Sequence, residues 1–303
     1  MGSVHSTFSQ LKKKNSKSLK RKGDSPNSIC TSDSSSSFVP WFTDPEFEDR
    51  ASGLSDIMDY TMRRPVLSPV EPSARHILVI TANGFSVVHQ ILRMFPKAHI
   101  TYYDMLPLSD NPIRATSVDV SRITWADLDL LSDTLSLPTN HYDLVLLRML
   151  NRSLPEDRWL TLLRNSKRIC HTGGFVEVVG FDDEVQEAGP RAMRTITAYR
   201  RISREHQVNL GAIKEINKVF TQADLPLTSH CRYQCPLGPW GGVVGQMMLD
   251  SGKGYLELMI SELQAAGQQD TAKNLSAMIG AWEEDMNTTE SYILVYGMYA
   301  QVP

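Results

Sequence analysis

The sequence predicts an α/β fold built on a doubly wound, mainly parallel sheet, with an antiparallel C-terminal strand and a helical cover. Three observations carry this. Short apolar strands alternate with amphipathic helical stretches between His76 and Gly180, the pattern that βαβ crossovers leave in a chain. Helical periodicity then takes over from Arg191 to Asn287. Finally, Tyr292, Leu294, Tyr296, Met298 and Ala300 recur at every second position, as in a half-buried strand returning to a sheet.

The elements follow in order. Residues 76–80 form an apolar first strand, and 86–95 a helix with Val87, Val88, Ile91, Leu92 and Phe95 on one face. Residues 98–103 read as a second strand ending at Asp104, and 113–118 as a third ending at Asp119. Residues 142–147 are a strand, 155–170 an amphipathic helix, and 175–180 a strand after the turn Gly173-Gly174. Four helices are expected at 191–206, 211–223, 254–266 and 271–287, with a strand-like piece at 230–235. The helices are placed to cover the sheet's carboxyl edge, where open α/β folds bind ligands.

Composition bounds the rest. With 41% hydrophobic and 21% charged residues, the chain reads as soluble and globular. Its longest apolar runs, such as Ile77-Leu78-Val79-Ile80, are too short for a transmembrane segment. No apolar stretch follows the N-terminal charges, so no secretory signal is expected. Four scattered cysteines fit a reducing compartment, and the expected location is nucleus or cytoplasm.

Residues 1–37 carry Lys12, Lys13, Lys14, Lys17, Lys20, Arg21 and Lys22 against Asp24 and Asp33. That puts about +5 on this tail and, within a net charge of -3, about -8 on the remainder. The tail is serine-rich and expected to be disordered; residues 38–303 are expected to form one domain. The two basic clusters read either as a nuclear import signal or as a solvated tail. Met1-Gly2-Ser3-Val4-His5-Ser6 also fits the loose pattern for an N-terminal lipid, which a basic patch would reinforce at a membrane. An acidic folded body argues against direct nucleic-acid binding.

The first strand-to-helix junction reads Thr81-Ala82-Asn83-Gly84-Phe85-Ser86. Glycines are usual there because the backbone must turn sharply and lie against a ligand. Here only Gly84 is present, beside Asn83, which tolerates left-handed geometry. Asp104 ends the second strand, where an acid can accept from two ribose hydroxyls or simply face water. Asp119 could meet an adenine amino group, with Asp127 and Asp129 competing for that role. His230, Cys231 and Cys235 lack zinc-ligand spacing, and no metal is expected. Neither a nucleophile elbow nor a P-loop is present. His141 and His171 lie near strand ends as candidate bases, and no catalytic residue is assigned.

Taken in order, several segments resemble the LaeA-like family of fungal S-adenosylmethionine-dependent methyltransferases, over about Thr43 to Pro303. Asp44-Pro45-Glu46-Phe47-Glu48-Asp49-Arg50 resembles the acidic stretch ahead of the family's first helix. Pro72-Ser73-Ala74-Arg75-His76-Ile77-Leu78 resembles the lead into its cofactor strand. Phe95-Pro96-Lys97-Ala98-His99-Ile100-Thr101 with Asp104 resembles its second strand, and Tyr142-Asp143-Leu144-Val145-Leu146-Leu147-Arg148-Met149-Leu150 its "FDFIHLRML" segment. Gly173-Gly174-Phe175-Val176-Glu177 resembles "PGGWIE", Pro236-Leu237-Gly238-Pro239-Trp240 "PIGPW", and Val295-Tyr296-Gly297 its closing strand.

The resemblance implies a Rossmann-like class I methyltransferase fold and S-adenosylmethionine as cofactor. It implies cofactor contacts at Thr81, Asn83, Gly84, Asp104, Asp119 and Arg148. It also implies a small-molecule acceptor or a regulatory protein partner, in or around fungal secondary metabolism. The family's "DIGTGTG" falls on Val79, Thr81, Asn83 and Phe85, and its "QE" on Val179-Gly180, so the acid, the three glycines and that polar pair are replaced. Two readings follow. Either residues 81–84 hold the cofactor through their backbone while Phe85 turns into the core, or the domain is a catalytically degenerate binding or regulatory module.

Overall fold

The computed structural model describes residues 45–82, 85–105 and 120–303. The basic tail, Asn83, Gly84, Asp119 and the predicted strand at 113–118 lie outside the described residues.

The expected α/β sheet is present. In chain order the elements are α1 (Pro45–Met62), β1 (His76–Thr81), α2 (Ser86–Met94), β2 (His99–Asp104), β3 (Ile123–Trp125), β4 (Tyr142–Arg148), α3 (Trp159–Ile169) and β5 (Cys170–Phe181). They continue with α4 (Pro190–Glu205), α5 (Ile216–Gln222), β6 (Leu227–Pro236), α6 (Gly242–Ala265), α7 (Gln269–Thr288) and β7 (Tyr292–Gln301). The sheet order is β3-β2-β1-β4-β5-β7-β6. β1 to β5 pair in parallel, and β7 lies antiparallel between β5 and β6.

Side-chain alternation explains the layers. Ile77 and Val79 of β1 join one apolar cluster with Leu54, Met58, Ile91 and Met248, under α1, α2 and α6. Leu78 and Ile80 join the other, with Val145, Leu147, Leu162, Leu163 and Phe220 under α3 and α5. Because both faces are covered, the central strands read as continuous apolar runs rather than alternating ones.

Several boundaries differ from the sequence reading. The acidic stretch 44–50 runs into α1 rather than preceding it, since that helix starts at Pro45. Proline is well placed in a first helical turn. α6 begins at Gly242 rather than at 254. Its glycines lower helix propensity, but Val244, Met248 and Leu249 are buried on one side and tertiary packing decides. β5 starts at Cys170, ahead of the Gly173-Gly174 pair, which lies within the strand. β3 is only three residues long and leaves no periodic signal.

Candidate functional site at the carboxyl edge of the sheet

Strand order reverses between β1 and β4, the point at whose carboxyl ends open α/β folds place their ligand crevice. Thr81 is level with Asp104 on one side and Arg148 on the other, and Arg148 is level with Val179. The sequence-predicted residues Thr81, Asp104 and Arg148 are thus brought to one edge. Thr81 itself is fully buried. Its carbonyl accepts from the Met105 N–H at 2.8 Å, and the Ala82 N–H donates to the Arg148 carbonyl at 3.2 Å.

Asp104 is half-buried, and its Oδ2 accepts from the Tyr102 hydroxyl at 2.6 Å. Next to it Tyr103 has its hydroxyl pushed up by burial, then by the charges of Asp104, Asp127 and Asp129. Asp127 and Asp129 therefore do gather at the end of β2. Phe85 is 5% exposed and turns into the core, as the first reading requires. Its ring stacks on Trp125 at 5.2 Å and meets Tyr102 edge-on at 5.3 Å.

Arg148 was expected to meet a cofactor; its guanidinium is instead committed inside the protein. It is fully buried, with Nη2 2.7 Å from Asp59 Oδ1 and Nη1 donating to the Pro65 carbonyl at 2.9 Å. Asp59 also accepts from Gln90 Nε2 at 2.7 Å. A second buried acid, Glu177, accepts from the Leu67 and Ser68 N–H groups and the Ser68 hydroxyl at 2.7–3.0 Å. Together Arg148 and Glu177 bind the link that runs from α1 to β1. A buried charge needs such partners because desolvation otherwise removes it. Asp56, one turn before Asp59, has its carboxyl lifted to about 6 by burial and by Asp59, while Ser86 and Arg148 pull it back.

The positions where the family's polar residues fall are closed. Val79 and Val179 are buried in the apolar core. A Cβ at Gly180 would already lie 2.5 Å from Asn151 Oδ1. Asn151 fills the place a side chain there would take, and donates to the Phe181 and Leu210 carbonyls at 2.9 and 2.8 Å.

The helical cover does close over this edge. Beyond β5, Asp182 and Asp183 join Arg152, Tyr199, Tyr255 and Trp282 around a cavity of about 560 Å³ including its open mouth. Sequence reading missed these residues, because helical periodicity does not say which turn meets which strand end. His141 and His171 are corrected as candidate bases. They stand at the start of β4 and of β5, on the amino edge, where His171 Nε2 pairs with Asp143 at 2.8 Å.

No family model matches the chain, and no curated protein matches it. Among solved structures, a cyclopropane-fatty-acyl-phospholipid synthase-like protein from Lactobacillus casei aligns with 84% of this chain and 92% of its own, at 13% identity and a TM-score of 0.55. The fold is that of class I methyltransferases. Phosphoethanolamine N-methyltransferase 2 from Haemonchus contortus, solved with S-adenosyl-L-methionine, aligns with 83% of this chain at 13% identity and a TM-score of 0.49. The chain spans about half, 52%, of that protein's length. Among the described residues, no helix is long and apolar enough to cross a membrane.

Proposed function

We propose that this chain is an S-adenosylmethionine-dependent methyltransferase acting on a small molecule, in or around fungal secondary metabolism, in the nucleus or cytoplasm. The observation that carries the reading is the arrangement at the switch point. Thr81 and Asp104 stand level at the strand ends, and the Phe85 ring packs into the core beside Tyr102 and Trp125 instead of projecting over them. The residues present fit the cofactor. Asp104 suits ribose hydroxyls, Asp56 beside Ser86 suits a sulfonium cation, and the segment that follows the buried Thr81, with Asn83 and Gly84, is the proposed backbone contact. For the adenine amino group the proposed partner is Asp119, with Asp127 and Asp129 as competing candidates. Arg148 acts at one remove, by fixing α1 beside the crevice. When bound, the cofactor supplies an activated methyl group, and the chain's task is alignment of the acceptor.

A second reading has its own observation. Val79 and Val179 are core residues, and Gly180 has no room for a side chain, which favours a degenerate module that binds a regulatory protein partner. Calorimetric titration with S-adenosylmethionine and S-adenosylhomocysteine decides between the two. Binding is expected, and Asp104→Ala is expected to weaken it by about 1.5–3 kcal/mol, the worth of a hydrogen bond to a charged group. Silence at millimolar ligand would sink the enzyme reading.

A further inference from the structure

We propose that the cavity beyond β5 takes a small aromatic acid, its ring against the aromatic wall and its anionic oxygen on Arg152. The walls come first. Tyr199, Tyr255 and Trp282 face the space together with Leu237, Met248 and Leu256. Gly252 lies flat on Trp282, since a Cβ there would already be 3.3 Å from the ring.

The charges then choose the ligand. Asp183 is held by Arg200, whose Nε and Nη2 lie 2.5 and 2.9 Å from its two oxygens. Asp182 is paired with Lys214 at 3.2 Å, and Lys214 also binds Glu184. Arg152 is different. Its guanidinium carbon stands 4.5 Å above the Tyr255 ring, and it has no carboxylate partner among the described residues. One face of the cation is thus already desolvated by an aromatic ring, which strengthens its pull on an anion entering the same cavity. The tyrosines do not supply that anion. Burial lifts the Tyr255 hydroxyl to about 12 and raises that of Tyr199, so both stay neutral. A neutral hydrocarbon would leave Arg152 unmatched, and a cation would be repelled by it.

Arg152 follows β4 by one short turn, so the cavity adjoins the crevice described above. Its assignment as the methyl-acceptor site rests on the methyltransferase reading; the binding itself does not.

The test is calorimetry on the full chain with 2-naphthoate and 2-naphthamide, which share rings and differ in charge, with and without S-adenosylhomocysteine. The acid is expected to bind at least about tenfold more tightly than the amide, the gain of one charge-assisted pair. Arg152→Gln should abolish that preference while leaving the amide within about twofold, which also shows that the cavity is intact. Arg152→Lys should retain part of it. Equal affinities for acid and amide, a preference that survives Arg152→Gln, or no binding of either would each overturn the proposal. Binding of S-adenosylhomocysteine without 2-naphthoate would remove this inference and leave the function standing. Binding of 2-naphthoate without either cofactor form would do the reverse.

Discussion

Replacing Asp59 by Asn would keep the shape of the Arg148 pocket and remove only its charge. The Arg148 guanidinium is fully buried, and its polar contacts are Asp59 at 2.7 Å, the Pro65 carbonyl at 2.9 Å and Ser55 Oγ at 3.5 Å. Breaking a buried pair by removing one partner costs about 3–5 kcal/mol, because the other charge stays buried and uncompensated. Glu177 lies near enough to feel Arg148, so the lower end, about 3 kcal/mol, is expected. For a domain of this size that lowers Tm by roughly 6–12 °C. Urea unfolding at pH 7 is the direct assay, with a lower midpoint at unchanged m-value. The double replacement Asp59→Leu with Arg148→Met should cost less than Asp59→Asn alone, since neither member of the pair is left buried without the other and Glu177 keeps its hydrogen bonds from Leu67 and Ser68. A loss under about 1 kcal/mol for Asp59→Asn, the value of an exposed ion pair, would mean that water reaches the guanidinium and would refute the reasoning.

Asp56 should behave in the opposite sense. Its folded carboxyl sits at about 6 against an ordinary 3.8, so the folded state holds the extra proton between those values. The stability this gives is present below pH 4 and is lost as pH rises towards 6. Asp56→Asn should therefore stabilise the protein at pH 7, by up to roughly 3 kcal/mol, and change nothing near pH 3.5; a pH-independent difference in urea midpoint would count against it. Glu177→Gln should cost about 2 kcal/mol, because an amide nitrogen would face the Leu67 or Ser68 N–H, read as a lower urea midpoint. Phe85→Ala should cost about 3–5 kcal/mol by emptying the aromatic cluster, yet leave cofactor affinity within about twofold; a large change in affinity would place the ring in the ligand's path.

The sequence by itself determined the sheet and its winding. Apolar runs at His76–Thr81 and Tyr142–Arg148 can be buried only between two helical layers, and the final alternation at Tyr292–Gln301 marks the returning strand. It also placed Thr81 and Asp104 at strand ends, because the length of an apolar run is a local property. What became of the lost family positions was decided by tertiary structure. Phe85 is harmless or obstructive depending on whether Tyr102 and Trp125 stand ready to enclose it, and Gly180 is small because Asn151, folded in from another loop, fills its side-chain space. Arg148 looked like a ligand contact in sequence, yet its partners Asp59 and Pro65 are about ninety residues away in the chain and hold it as an internal clamp. The same holds for the cavity around Arg152, whose walls come from the segment after β5 and from α4, α6, α7 and β7. Contacts at such separation are set by how whole helices pack, and no spacing within any one segment encodes them.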